Sequence, residues 1–234
     1  MRWTALIVLL AACAVAPGDH EEEADFVVDP DDGKNDGVPA TFDMNEVVDD
    51  ALLTDAYAMT VGDVQSFFDK NPYGTRSWLA GYSVEGVSAA QMVVDAAQAR
   101  GVNPIVLLSR MQVETSIVSK TYAPSQRTID RALGCGCPDG GSCSSSYSGL
   151  RAQLDCGAYT MRRWYEASID GSGQWREGTP RSTLDEKRVT PANDATASFY
   201  AYTPWVLVGS GGTWLAWNVT RKYVRYAQSS YLIN

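Results

Sequence analysis

One stretch sets the frame for this chain: Asn103 to Lys120, NPIVLLSRMQVETSIVSK. Asn103 is a good helix N-cap, and Pro104 suits the first helical position, where its missing N–H removes no hydrogen bond. At 100° per residue, Pro104, Leu107, Leu108, Met111 and Val118 gather on one face. So apolar a stripe has to be buried, and the other elements are expected to pack around it. Glu114 falls at the edge of that stripe, three residues after Met111 and four before Val118. Desolvation at such a position pushes a carboxyl toward its protonated form. A carboxylic acid that keeps its proton near neutral pH is a general acid, suited to protonating a departing sugar oxygen.

The other periodic segments are also helical, and the class expected is mainly α. Asp43 to Tyr57 reads as a helix with Val47, Val48, Leu52 and Leu53 apolar. Thr60 with Asp63 makes an approximate capping box for a short helix carrying Val64, Phe67 and Phe68. Asn71-Pro72-Tyr73-Gly74 is turn chemistry, and Trp78, Leu79 and Tyr82 read as core or as the lining of a groove. Ser88 opens a further helix that Gly101 ends. A long helix is expected near Gly149 to Ser168, another from Thr190-Pro191 to Tyr202, and a last one after the Gly209–Gly212 loop. Gly171 to Arg188 reads as irregular, and Trp205 to Val208 as a short strand.

The chain contains five cysteines and one histidine. Cys135, Cys137, Cys143 and Cys156 cluster, but C-x-C-x₅-C lacks the paired C-x₂-C knuckles of structural zinc. Two disulfides are expected; strain disfavours Cys135 with Cys137 and leaves the other two connectivities open. The single histidine, His20, lies in an acidic run far from these segments. A Ser-His-Asp or Cys-His nucleophile and a His-ligated zinc are therefore excluded from the folded part. Its chemistry is expected to run on carboxylates, hydroxyls and amides, with no metal and no cofactor.

The amino terminus reads as an export signal over residues 1–12: Arg2, then the apolar run Leu6 to Leu10, then small residues before Cys13. Leu10-Ala11-Ala12-Cys13 resembles the bacterial lipobox, which implies a lipid on Cys13 and a membrane anchor in the cell envelope. Residues 19–36 hold nine acids against one base, Lys34, and residues 13–41 are expected to form a disordered tether. Setting aside Arg2 and that run leaves 19 acids against 17 bases, so the net charge of −9 is mostly the tether's. No basic cluster points to nucleic acid. Residues 42–234 suit one domain, expected to be a monomer.

Three stretches together resemble secreted bacterial proteins of the lysozyme-like superfamily, akin to lytic transglycosylases and peptidoglycan muramidases. They are Ser88-Ala89-Ala90-Gln91 with the following GVNPIVLLSRMQVETSIVSK; Ala132-Leu133-Gly134-Cys135-Gly136-Cys137-Pro138-Asp139 with Gly149-Leu150-x-x-Gln153; and Ala197 to Pro204, ASFYAYTP. The resemblance covers roughly residues 55 to 227. It implies a lysozyme-like, transglycosylase-type helical domain that cuts peptidoglycan glycan strands at the β-1,4 bond between N-acetylmuramic acid and N-acetylglucosamine. Glu114 matches that family's catalytic acid. Gln153 is similar to a glutamine facing the sugar cleft, and Tyr200 to a tyrosine that hydrogen-bonds the catalytic carboxyl. Tyr202 and Asp139 join them as expected substrate contacts. The chain departs from the pattern where Ala201-Tyr202-Thr203 replaces N-A-G, and where Thr115-Ser116 follows Glu114. A transglycosylase needs no second carboxylate, whereas a hydrolase would draw on Asp130, Asp139 or Asp155. The rival expectation is a non-catalytic surface lipoprotein that binds glycan or a partner in the same cleft.

Overall fold

The computed structural model describes residues 36–138 and 143–233. Cys13, the acidic run as far as Asn35, and Asp139 lie outside these residues. The described chain is mainly α, with eight α-helices and two small antiparallel hairpins.

Helix α1 (Asp50–Thr54) starts where the Asp49 side chain accepts from the Leu52 N–H. The helix expected from Asp43 does not begin there. The Asp43 carboxylate takes the Asn45 N–H at 2.8 Å, and this local turn competes with helix nucleation. Helix α2 (Val61–Asp69) carries the full Thr60/Asp63 capping box. Hairpin β1 (Ser83–Val84) and β2 (Val87–Ser88) leads straight into α3 (Ala89–Arg100), which Ser88 caps and Gly101 ends. A three-residue link, Gly101 to Asn103, then reaches α4 (Pro104–Thr115), whose cap Asn103 accepts from the Ile105 N–H.

After the short α5 (Gln126–Ile129) comes the longest helix, α6 (Leu150–Ile169). The Gly171–Arg188 region is less irregular than its composition suggests: it buries Trp175 and forms hairpin β3 (Arg181–Ser182) and β4 (Arg188–Val189). Helix α7 (Asp194–Tyr202) is capped by Asn193 rather than started by Thr190-Pro191, and α8 (Gly212–Ser229) closes the fold. Trp205 to Val208 is not a strand. Its Val206 and Leu207 N–H groups are taken by the Asp185 carboxylate at 3.0 and 3.1 Å, which leaves no ladder to form.

Helix α4 is the central element. Ile105, Val106, Leu107, Leu108 and Met111 are all buried, as are Ile117 and Val118 just beyond it. Helix α8 lies along α4, where the Thr220 and Ser109 hydroxyls meet at 2.9 Å, and α6 packs against both α3 and α7. Truncating a core residue such as Leu108 to Ala costs about 2–5 kcal/mol.

The folded part begins earlier than residue 42. Asp36 and Val38 are buried, Asp36 pairs with Arg225 at 3.3 Å, and the Trp217 indole N–H donates to the Pro39 carbonyl at 2.9 Å. The acidity of residues 19–36 disguised this: one of the nine acids, Asp36, has a cationic partner distant in sequence.

Candidate functional site

Helix α4 stops at Thr115 because Ser116 turns left-handed, with φ of 53°. Gln112 fastens the turn that follows: its Nε2 donates to the Ser119 hydroxyl at 3.0 Å, and its Oε1 accepts the Ser119 N–H at 3.1 Å. Glu114 is thereby fixed in the last helical turn. That is the unfavourable end of the helix dipole for a carboxylate, so a compensating cation is called for.

The cation is Arg110, one turn earlier. Its Nη2 donates to Glu114 Oε1 at 2.6 Å and to the Thr203 hydroxyl at 2.9 Å. The guanidinium lies 4.3 Å above the Tyr202 ring. The Arg110 side chain is 1% exposed, while that of Glu114 keeps 27%. The carboxyl thus sits at the surface end of a buried ion pair, not in the wholly apolar surroundings that the helix stripe suggests. Arg110 Nε and Nη1 are buried with no hydrogen-bond partner among the described residues.

The other side of the carboxyl is backbone. Gly134 has φ of +68°, and a methyl group built there would stand 2.7 Å from Glu114 Oε2. Four contacts press this segment inward. The Leu133 side chain is seated against α6 at Gly157, where a Cβ would clash at 2.4 Å. The Tyr202 hydroxyl donates to the Leu133 carbonyl at 2.6 Å. Gln153 accepts the Leu133 and Cys135 N–H groups at 3.1 and 3.2 Å. Cys135 is also bonded to Cys156 on α6, and Cys137 to Cys143. This resolves the connectivity that spacing left open.

The structure brings Glu114 and Tyr202 together and sets the other expected contacts elsewhere. Gln153 is buried, and its Nε2 donates to the Cys135 and Tyr147 carbonyls, both at 2.8 Å. Every polar valence of the amide that could face a sugar is committed to the cysteine loop. Tyr200 is also buried, and its hydroxyl donates to the Met44 carbonyl at 2.8 Å while its ring stacks on Trp175 at 4.8 Å. Burial pushes its phenol up to about 12. Tyr200 therefore does not reach Glu114; two residues further along the helix, Tyr202 lies under the Arg110 guanidinium, with its hydroxyl donated to the Leu133 carbonyl rather than to the carboxyl or a sugar. Burial raises the Tyr202 phenol too; the Arg110 charge opposes the shift and Glu114 adds to it.

Among the spare carboxylates, Asp155 is forked onto Arg100 at 2.8 and 2.9 Å, and Asp130 accepts the Gly149 N–H at 2.8 Å. Trp78 is half-buried and packs its ring, tilted, against Tyr82 at 4.4 Å. Asp139 falls outside the described residues. Among the described residues no cluster of His, Cys, Asp and Glu could hold a metal, and no helix is long and apolar enough to cross a membrane.

Sequence reasoning passed over Arg110, Gly134 and Thr203. Arg110 carried a signal, since an Arg four residues before a Glu on one helix places the two side chains in contact. Gly134 and Thr203 carried none, because only the folded chain brings them to residue 114. No family model matches the chain, and neither does any curated protein or solved structure.

Proposed function

We propose that this protein cleaves the β-1,4 bond between N-acetylmuramic acid and N-acetylglucosamine in peptidoglycan, with Glu114 as its one acid/base group. One observation carries the reading: the Glu114 carboxyl ends the buried central helix in a side chain that stays 27% exposed, with Oε1 anchored on Arg110 and Oε2 beside the bare Cα of Gly134. The resemblance of the three ordered stretches to lysozyme-like transglycosylases and muramidases supports it, and the lysozyme-like fold belongs to the same proposal. So does the setting, a bacterial envelope protein held by a lipid on Cys13.

In the transglycosylase form, Oε2 gives its proton to the departing glycosidic oxygen as the C1–O bond breaks. The carboxylate then takes the proton of the muramyl 6-hydroxyl while that oxygen bonds to C1, closing a 1,6-anhydro ring. Acid and base are the same group, so the account needs no second carboxylate. This fits the engagement of Asp130 and Asp155 elsewhere.

The test is digestion of purified peptidoglycan sacculi by the full chain with its disulfides formed. Wild type is expected to release muropeptides with anhydro ends, seen by mass, and Glu114→Gln to release none. Reducing ends on muramic acid would make it a hydrolase instead. A second reading has its own support: Glu114 is the counter-ion of a buried guanidinium, a structural duty that a glycan-binding lipoprotein without activity would also need. Protein that pellets with sacculi and releases nothing establishes that second reading.

A further inference from the structure

We infer that Arg110 is a positioning residue that decides which oxygen of Glu114 carries the proton; the inference rests on the glycan-cleavage reading above. The Glu114 carboxyl is asymmetric. Oε1 accepts from Arg110 Nη2 at 2.6 Å, whereas Oε2 receives no donor among the described residues and lies over the bare Cα of Gly134. An always-charged guanidinium can only donate. Oε1 facing it can therefore act as carboxylate or as the carbonyl oxygen of the acid, but cannot bear the proton toward it. The proton is left to Oε2, the oxygen turned away from the guanidinium.

The guanidinium is itself held against rotation. Nη2 also donates to Thr203 at 2.9 Å, the plane lies on the Tyr202 ring at 4.3 Å, and the group is 1% exposed. A buried ion pair seldom exceeds a well-packed apolar replacement in stability. Arg110 also leaves Nε and Nη1 without partners, which makes it a poor choice for stability alone. What this arrangement supplies is a fixed orientation for a carboxyl on the last turn of a helix. The effect resembles that of a second residue holding a catalytic group in one rotamer.

The experiment compares full-length Arg110→Met, Arg110→Lys and Thr203→Val with wild type on sacculi, alongside thermal unfolding of each. Arg110→Met is expected to lower kcat on the order of 100-fold per folded molecule, with KM changed little. Arg110→Lys keeps a buried cation but not the fork or the stacking, and is expected to recover only part of the loss. Thr203→Val, which frees one anchor, should fall between Lys and wild type. Arg110→Met retaining wild-type kcat while Glu114→Gln is inactive overturns the inference and leaves the glycosidase reading standing. If Arg110→Met does not fold, the Lys and Val variants decide: full kcat in both overturns it. A wild type without activity overturns both.

Discussion

Gln153 closes a four-bond clasp around Cys135. Its amide oxygen accepts the Cys135 and Leu133 N–H groups, and its amide nitrogen donates to the Cys135 and Tyr147 carbonyls. A side chain that seemed to offer itself to a sugar instead fixes the backbone that walls the Glu114 carboxyl. Gln153→Leu leaves buried backbone groups unpaired and is expected to lose on the order of 3 kcal/mol. Urea unfolding with disulfides intact measures this. Unchanged stability would show that the clasp contributes nothing.

The two disulfides differ in what they close. Cys135–Cys156 spans 21 residues of sequence and Cys137–Cys143 only 6. Chain entropy gives about 3 kcal/mol for the first and about 2 for the second. Cys135→Ala/Cys156→Ala should therefore be the less stable double variant, and it alone should also lower activity on sacculi. Peptide mapping of the oxidised protein checks the pairing itself.

Gly134→Ala tests the close approach from the other side. The added methyl would meet Glu114 Oε2, and the left-handed φ of +68° disfavours any side chain by about 1 kcal/mol. The expected result is a modest fall in melting temperature with a far larger loss of kcat. A kcat close to wild type would mean that the carboxyl tolerates displacement.

Two aspartates should give opposite pH signatures. Burial pushes the Asp50 carboxyl up, partly opposed by the Ala195 N–H that it accepts. A raised acid binds its proton more tightly in the folded chain, so its ionisation weakens the fold as pH rises through the folded value. Asp50→Asn should be more stable than wild type at neutral pH, the difference vanishing in acid. At Asp185 burial pushes upward as well, but the Thr183 hydroxyl and the Val206 and Leu207 N–H groups outweigh it and hold the carboxyl low. Its contribution is full above the ordinary aspartate value and is lost as pH falls through the lower folded one. Asp185→Asn should thus be less stable at neutral pH and equal to wild type in strong acid. Melting curves from pH 2 to about 7 read both.

A chain beginning at residue 42 should be less stable than one beginning at 36. It would lose the Asp36 partner of Arg225 and the Pro39 acceptor of Trp217, two contacts worth on the order of 2 kcal/mol together. Matching denaturation midpoints would return residues 36–41 to the tether.

What could be read beforehand was whatever neighbouring residues decide among themselves. The caps at Thr60, Ser88 and Asn103, the stop at Gly101 and the buried face of α4 are all local, and all appear in the structure. Local turn chemistry was also where the reading failed, when Asp43 took the Asn45 N–H and pre-empted a helix. The surroundings of Glu114 are a different matter. Thr203 lies 93 residues from Arg110, and Tyr202 lies 69 from the Leu133 carbonyl that it caps. Gln153 and Tyr200 have side chains that could serve sugar or scaffold equally well, and only their burial shows that they serve scaffold.

The wall beside Glu114 is a cysteine-bridged loop, not a helix, and this exposes the mouth of the site to thiol chemistry. The segment carrying Gly134 is held by the Gln153 clasp and the Tyr202 hydroxyl, and Cys135–Cys156 adds a covalent tie to α6. A molecule kept in reducing surroundings would keep the hydrogen bonds of that wall but lose its one covalent tie to the longest helix.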